Sequence, residues 1–304
     1  MSPDRNTAVT ITVDGRNLTI SNLDKVLYPA TGFTKGDMID YYANVAEVML
    51  PHVRDRPMTM KRCPDGVDGA SFFEKHTPAH PPAWLRHISV PSTGGGSAVD
   101  YSVVSDLPTL LWAVNLATIE FHVPLWHAGR RRTLPGPPDH MVFDLDPGEG
   151  TTIVECCTVA LHIVDILAAQ GLACFAKTSG SKGLQLYTPL QSGTSWETSR
   201  DRTHHVALQL ERRHPDLVVS TMQKSRRRNR VLIDWSQNHP AKTTVAAYSL
   251  RARPDPTVST PVTWDEVHRC EESGDPAFLR FTAPEVLDRI EQKGDLFAPV
   301  SDHL

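Results

Sequence analysis

The chain has 304 residues, 40% of them hydrophobic and 22% charged, which excludes a disordered polymer and predicts one large domain or two intermingled ones. A formal net charge of −4 excludes a globally basic nucleic-acid-binding protein, so any such function must depend on local charge. The five cysteines are scattered and show no Cys-x-x-Cys spacing, which predicts a protein without disulfides or structural zinc. The chain has no apolar signal core and no apolar run of about 20 residues, so a cytoplasmic protein without a membrane anchor is expected.

The first half of the chain mixes strand and helix patterns. Val9 to Ile20 alternate around Asp14-Gly15, which predicts a hairpin. Thr34, with Asp37 three residues later, predicts the start of a helix that ends at Pro51. Further predictions in chain order are a strand over Pro57–Arg62, a surface loop over Pro78–Pro82, a glycine turn over Ser92–Ser97, a helix over Leu107–Ile119, a strand over Glu120–Trp126 and a connector over Arg130–Asp139.

The second half alternates strands and helices more regularly, and this pattern predicts an α/β fold. Thr151 or Thr152 caps a helix that runs through Gln170 and is closed by Gly171. The other predicted elements are strands over Leu172–Lys177 and Leu184–Leu190, a helix over Ser199–Arg213, a short strand over Leu217–Ser220, a basic turn over Lys224–Arg230 and a strand over Val231–Trp235.

The most informative motif is Asp144-Leu145-Asp146, which follows the apolar run Met141–Phe143 and precedes Pro147-Gly148. Side chains two apart on a strand project to the same face, so the two carboxylates lie together. Like charges at that distance repel unless a cation lies between them, and oxygen ligands suit magnesium or manganese. The alternative is an ordinary strand that ends in a turn, where aspartate is common.

Four further features bear on that choice. Asp234 ends the apolar strand Val231–Ile233 and could complete a carboxylate trio, although it also fits a plain strand cap. Ser179-Gly-Ser-Lys-Gly183 resembles a phosphate-binding loop or, alternatively, an exposed Gly/Ser hairpin. Lys224–Arg230 has five cations in seven residues and suits polyphosphate or nucleic acid, or forms a solvated turn. Phe72-Phe73, near Lys61, suits base stacking or a core. Together these features favour metal-dependent nucleotidyl transfer.

Seven segments resemble the polymerase domain of bacterial ligase D, from the archaeo-eukaryotic primase superfamily. The resemblance runs from about Leu18 to Asp295, and the order of the segments and their local amino-acid sequences agree throughout. The matching segments are Asn22–Gly32, Phe72–Lys75, Glu120–Trp126, Phe143–Gly150, Thr178–Leu184 and Asp234–Asn238 with Ala246–Arg251. The resemblance implies an α/β (α+β) fold, in which a primase-like catalytic core (about 136–295) has an RRM-like antiparallel sheet flanked by helices. An N-terminal α/β module (about 8–135) completes it.

The resemblance also implies roles for individual residues. Two divalent ions, Mn²⁺ (or Mg²⁺), would be held by Asp144, Asp146 and Asp234, which are therefore the catalytic residues. The nucleotide would be bound by Lys61, Phe72, Phe73, His122, Ser179, Lys182, Gln185, Gln237 and Arg251. DNA would be bound by Asn22, Lys25 and Lys35, at a recessed 5′-phosphate, and by Arg227, which would steer template and primer.

One residue departs from the pattern of the family, which usually has histidine where this chain has Gln185. Glutamine can donate a hydrogen bond but adds no positive charge, so weaker triphosphate binding is expected. An unchanged nucleotide affinity after Gln185→His would contradict that expectation. The 304 residues also contain no adenylating-lysine motif, so a stand-alone polymerase or an excised domain is expected.

The function implied by the resemblance is that of a template-directed DNA/RNA primase-polymerase. Such an enzyme fills gaps and extends 3′ ends at double-strand breaks in non-homologous end joining, with a preference for ribonucleotides. Its expected partners are DNA ends and gapped duplexes with a 5′-phosphate, NTPs or dNTPs, Ku and a DNA ligase, in a cytoplasmic, nucleoid-associated setting. The alternatives are a non-catalytic module that binds 5′-phosphorylated DNA ends, which only Gln185 favours, and an Asp-x-Asp sugar transferase, which leaves the basic run unexplained.

Overall fold

A computed structural model describes residues 8–91, 96–129 and 134–301. The strands are β1 (Val9–Val13), β2 (Arg16–Ile20), β3 (Val26–Tyr28), β4 (Phe33–Thr34), β5 (Arg56–Pro57), β6 (Thr59–Arg62), β7 (Phe72–Glu74), β8 (His87–Val90), β9 (Val99–Val104), β10 (Thr118–Val123), β11 (His140–Pro147), β12 (Phe175–Thr178), β13 (Leu184–Pro189), β14 (Val218–Val219), β15 (Val231–Asp234), β16 (Thr244–Val245) and β17 (Pro261–Val262). The helices are α1 (Lys35–Val53), α2 (Leu107–Asn115), α3 (Ile153–Ala168), α4 (Trp196–Arg213), α5 (Trp264–Ser273), α6 (Ala283–Lys293) and α7 (Ala298–Ser301). Within the described ranges, no helix is both long enough and apolar enough to cross a membrane.

The largest sheet has six strands in the order β14-β15-β11-β13-β12-β17. All neighbours in it are antiparallel except β14 and β15. One face is covered by α3, α4 and α5, because Phe143 and Leu145 of β11 pack in one buried cluster with apolar residues of these helices, such as Ile163 and Leu210. This arrangement confirms the predicted mixed fold, with a mainly antiparallel sheet flanked by helices.

A second sheet has the order β16-β10-β6-β7. Helices α1 and α2 pack beside it in a core that includes Tyr41, Tyr42 and Phe121. The same core takes in Tyr187 and Leu250, and strand β16 also comes from the second half of the chain. The two halves are therefore joined through shared packing, and a module boundary near residue 135 stays a prediction.

The predicted hairpin at Val9–Ile20 is confirmed, and so is the cap at Thr34, where the hydroxyl accepts from the amide of Asp37. Several predicted boundaries are wrong: β12 begins at Phe175 and not at Leu172, α4 begins at Trp196 and not at Ser199, and β10 covers Thr118–Val123 and not 120–126. Three others have a clear structural reason. Helix α1 continues past Pro51, because the proline lies in its last turn and Val53 is fully buried. The strand predicted over 57–62 is two strands, which pair with β9 and β10. Helix α2 stops at Asn115 because Ala117, at φ +60°, reverses the chain into β10.

Two predicted loops fall partly outside the described residues. They are the glycine turn at 92–97, of which 92–95 are not described, and the connector at 130–139, of which 130–133 are not described. Their sequence interpretation therefore stays a prediction.

Glu266 joins α5 to α6 and gives a prediction about stability. Its side chain accepts from Arg289 Nη1 at 2.6 Å, Lys293 Nζ at 2.8 Å and the amide of Thr263 at 2.9 Å. Burial opposes its ionisation, but the hydrogen bonds from Arg289 and Lys293 outweigh burial and lower the pKa of Glu266 to about 2. Glu266→Gln is expected to lower the free energy of unfolding at pH 7 by about 2 kcal/mol.

The sign of the pH dependence follows from the lowered pKa. The stabilisation by Glu266 is present above its unfolded pKa of about 4.3 and is lost as the pH falls towards about 2. The difference in free energy of unfolding between wild type and Glu266→Gln, measured by urea unfolding, should therefore be smaller at pH 3 than at pH 7. Asp265→Asn, an exposed change in the same helical turn, is the control and should show no such difference.

Candidate active site

Three carboxylates meet in the middle of the six-stranded sheet. Asp144 and Asp146 project from the same face of β11, whereas Leu145 between them is buried against the helices. The antiparallel register places Asp234 of β15 directly beside Asp144. One oxygen from each of the three side chains lies within 4.8 Å of the others, so the predicted carboxylate trio is present as a cluster.

The electrostatics of this cluster show that it favours a cation. Burial, then the charge of Asp146, raises the pKa of Asp144 to about 7. Burial and the charge of Asp234 also raise the pKa of Asp146. A divalent cation would remove this repulsion, and a donor set made only of carboxylate oxygens fits Mg²⁺ or Mn²⁺. The residues present therefore fit the metal ions that the sequence predicts.

Asp234 is held in place by the residues that follow it. Its Oδ1 accepts from the amide of Ser236 at 3.0 Å and from the Ser236 hydroxyl at 2.6 Å. Its Oδ2 accepts from Gln237 Nε2 at 3.1 Å. Gln237, which the resemblance assigns to the nucleotide pocket, thus contacts a carboxylate of the metal cluster in this structure.

The Gly/Ser/Lys loop lies against the carboxylate strand. Ser179 closes it, because its hydroxyl accepts from the amides of Gly183 at 3.0 Å and Ser181 at 3.2 Å. A side chain at Gly183 would overlap the carbonyl oxygen of Leu145, so glycine is required for this close approach. Lys182 is exposed at the tip of the loop. The loop therefore presents a cation close to the end of β11.

The two phenylalanines of β7 lie on the surface. Phe72 is 45% exposed and Phe73 is 59% exposed, so they are not core residues. The ring of Phe73 lies 5.3 Å from the ring of His122, edge to face, and Lys61 Nζ lies 5.9 Å from its centroid. Exposed aromatic rings beside cations are suited to stacking on a nucleic-acid base.

Glu120 connects three basic residues of the expected nucleotide pocket, and sequence reasoning missed it. It is 1% exposed, and it lies 3.1 Å from Lys61 Nζ, 2.8 Å from His122 Nε2 and 3.2 Å from Arg251 Nε. The amide of Ala252 also donates to it at 3.0 Å. Its spacing of two from His122 is the same signal as in Asp144-Leu145-Asp146 and could have revealed the pair.

Lys177 is a second residue that sequence reasoning missed. The strand registers place Asp234, Asp144, Gln185 and Lys177 side by side in one row across four strands. Lys177 Nζ donates to Gln185 Oε1 at 2.5 Å and to Ser259 Oγ at 2.7 Å, and Gln185 Nε2 donates to Asp144 Oδ1 at 2.9 Å. Burial holds the pKa of Lys177 well below its usual value. As the last residue of a predicted strand, Lys177 gave no signal that it is buried.

The three residues expected at a 5′-phosphate lie together at the start of α1. The amide of Lys35 donates to the carbonyl of Lys25 at 2.8 Å, and Asn22 turns the chain with φ +58°. Lys25 is exposed and lies 3.2 Å from Asp65. Lys35 is 4% exposed, and its ammonium donates to Ser21 O at 2.6 Å and Asn115 Oδ1 at 2.7 Å. Burial, then the charge of Lys25, lowers the pKa of Lys35 to about 8.

The basic turn packs on the segment that follows the carboxylates. The amide of Gly148 donates to the carbonyl of Arg230 at 2.9 Å, and that of Asn229 donates to the carbonyl of Glu149 at 2.7 Å. A side chain at Gly148 would overlap the carbonyl oxygen of Arg227. Arg227 partly offsets the raised pKa of Asp146. The turn is thus fixed beside the carboxylate cluster.

Comparisons with known proteins agree with this geometry. The family model for the LigD primase-polymerase domain matches residues 34–297. The multifunctional non-homologous end joining DNA repair protein LigD of Mycobacterium tuberculosis is 46% identical over 299 residues, which are 95% of this chain and 38% of that protein. The bifunctional non-homologous end joining protein LigD of Bacillus subtilis is 32% identical over 278 residues, 91% of this chain and 43% of that protein. The chain thus spans less than half the length of these relatives.

A solved structure is similar over nearly the whole chain. It is the polymerase domain from Mycobacterium tuberculosis ligase D in complex with DNA, with a TM-score of 0.87 and 45% identity. The match covers 93% of this chain and 98% of that one.

Proposed function

Because this chain belongs to the LigD primase-polymerase family, we propose that it is a template-directed nucleotidyltransferase that fills gaps and extends 3′ ends of broken DNA. The observation that carries the proposal is the cluster of Asp144, Asp146 and Asp234 on one face of the sheet, beside the Ser179–Gly183 loop. Carboxylates that hold two metal ions, together with donors for a triphosphate, are what phosphoryl transfer to a hydroxyl requires.

In the proposed reaction, the 3′ oxygen of a primer forms a bond to the α-phosphorus of a nucleotide, and the bond to pyrophosphate breaks. The three aspartates would hold two divalent ions, Mn²⁺ (or Mg²⁺), which when bound favour ionisation of the 3′ hydroxyl and neutralise phosphate charge. Ser179 and Lys182 would bind the triphosphate, and Arg251 and Gln237 would line the nucleotide pocket. Phe72 and Phe73 would stack against a base, and Lys61 and His122 would line the same pocket through their contacts with Glu120.

The proposed DNA substrate is a gapped duplex with a recessed 5′-phosphate, because a helix N-terminus with neighbouring lysines favours an anion. Asn22, Lys25 and Lys35 would bind that phosphate, and Arg227 would contact template and primer. The names of the relatives support a role in non-homologous end joining. Ku and a DNA ligase as partners, and a cytoplasmic, nucleoid-associated location, are part of the same proposal. A preference for ribonucleotides is part of the proposal.

The test is primer extension with Mn²⁺ on a gapped duplex, with and without the 5′-phosphate, comparing NTPs with dNTPs. We expect faster extension with the phosphate and with NTPs. A protein that binds 5′-phosphorylated ends tightly, but extends primers no faster than Asp144→Asn, would instead be a non-catalytic end-binding module.

Lys25→Met is expected to remove most of the stimulation by the 5′-phosphate. Lys25 is exposed, and its loss removes one charge-assisted contact, worth about 1 to 2 kcal/mol or roughly tenfold in affinity. The measurement is the ratio of extension rates on phosphorylated and unphosphorylated gaps. Arg269→Met, which removes an exposed cation on α5, is the control and should leave the ratio unchanged. An unchanged ratio in Lys25→Met would show that the phosphate binds elsewhere.

A further inference from the structure

Two residues of the polar chain behind Asp144, Lys177 and Ser259, have no role among those that the family resemblance assigns. The polar chain runs from Ser259 through Lys177 and Gln185 to Asp144, with contacts of 2.7, 2.5 and 2.9 Å. We propose that Lys177 is a positioning residue for the metal cluster, which acts by fixing the orientation of the Gln185 amide against Asp144. This inference rests on the proposed function in that it takes the carboxylates to be metal ligands.

The amide of Gln185 must present a donor to Asp144. A glutamine side chain has one donor end and one acceptor end, and a carboxylate only accepts. Nothing within the amide itself decides which end faces Asp144. Lys177 decides it, because an amine that donates at 2.5 Å requires the amide oxygen on its own side and leaves Nε2 for Asp144 Oδ1.

Lys177 is itself held firmly. It is 1% exposed, and Ser259, which accepts from it, donates onward to the carbonyl of Thr178 at 2.8 Å. Its Nζ also lies 5.5 Å from the ring centroid of Tyr187. An apolar side chain of similar volume would fill such a site at lower cost, so stability alone does not account for a lysine there.

The consequence for the metal site is geometric. With Oδ1 of Asp144 engaged by Gln185, the plane of its carboxylate is fixed, and one oxygen of that carboxylate lies within 4.8 Å of an oxygen of Asp146 and of an oxygen of Asp234. In Lys177→Met the amide could turn and place its oxygen against the carboxylate, which would displace Asp144. Losses of this kind behind metal ligands typically weaken metal binding by tenfold to a hundredfold.

The test measures Mn²⁺ binding directly, from the electron paramagnetic resonance signal of unbound Mn²⁺, for wild type, Lys177→Met, Gln185→Met and the double variant. We expect Lys177→Met to weaken binding about tenfold in the wild-type background and less than twofold in the Gln185→Met background. Equal effects in the two backgrounds would overturn the inference, since Lys177 would then not act through Gln185.

Two further measurements keep the test decisive. Lys177→Gln retains a neutral donor and is expected to keep Mn²⁺ affinity within about threefold of wild type, which a merely structural lysine would not require. If Lys177→Met does not fold, Gln185→Met alone must still weaken Mn²⁺ binding about tenfold, and unchanged binding would overturn the inference. A wild-type protein that binds Mn²⁺ but does not extend primers would defeat the proposed function and leave this inference standing.

Discussion

Asp144→Asn is expected to abolish primer extension, by about a thousandfold or more, and at the same time to raise the thermal midpoint of the metal-free protein. The loss follows because Asp144 lies at the centre of the carboxylate cluster, between Asp234 and Gln185 in the sheet. The gain follows because the change removes a buried charge that Asp146 and Asp234 repel, as the raised pKa of Asp144 shows.

The two effects are separated by measuring thermal midpoints with and without Mn²⁺ alongside extension rates. Mn²⁺ should raise the thermal midpoint of wild type but hardly that of Asp144→Asn, because a ligand stabilises only a folded state that binds it. Asp216→Asn, an exposed change near β14, is the control and should behave as wild type. Extension that survived in Asp144→Asn would exclude the cluster as the catalytic centre.

Glu120→Gln is expected to lower kcat/KM for the nucleotide by about a hundredfold. The carboxylate contacts Lys61, His122 and Arg251 together, and its pKa is held well below the usual range by hydrogen bonding from His122 and the charge of Arg251, against the effect of burial. Without its charge the ammonium of Lys61 and the guanidinium of Arg251 repel each other, and misplacement by about 1 Å costs roughly a hundredfold. We therefore expect the loss mainly in KM for the nucleotide.

The matched control is Glu266→Gln, which makes the same chemical change at a buried glutamate with two cationic partners away from the pocket. Both variants should be less stable than wild type, since each leaves cations without their counter-charge. Only Glu120→Gln should raise KM. A similar rise in both variants would mean that destabilisation, and not the pocket, accounts for the effect.

The sequence predicted those parts of the site that depend on local pattern. Asp144 and Asp146 share a face because strand side chains alternate, and the glycines of the Ser179–Gly183 loop mark a close backbone approach. The alternation of strands and helices along the chain predicted an α/β fold, and the family resemblance implied the mainly antiparallel sheet.

What the sequence could not predict depends on which strands are neighbours. Strand pairing places Lys177 beside Gln185, and it places Glu120 beside Lys61. The sequence of one strand does not determine which residue of another strand lies beside it. The exposure of Phe72 and Phe73 is similar, since a two-residue apolar run fits a core or a surface equally well. Pro51 does not end α1, and the local sequence does not predict this because the packing of the residues after the proline depends on distant parts of the chain.

The row of Asp234, Asp144, Gln185 and Lys177 also limits how the chain can change in length. A single residue inserted or deleted within β11, β12, β13 or β15 would turn the following side chains to the helix-covered face and break the row. The exposed turn at Gln191–Gly193, which leaves β13 after the row, carries no such constraint. We therefore expect related chains to differ in length at turns of this kind, while the four strands keep a fixed number of residues.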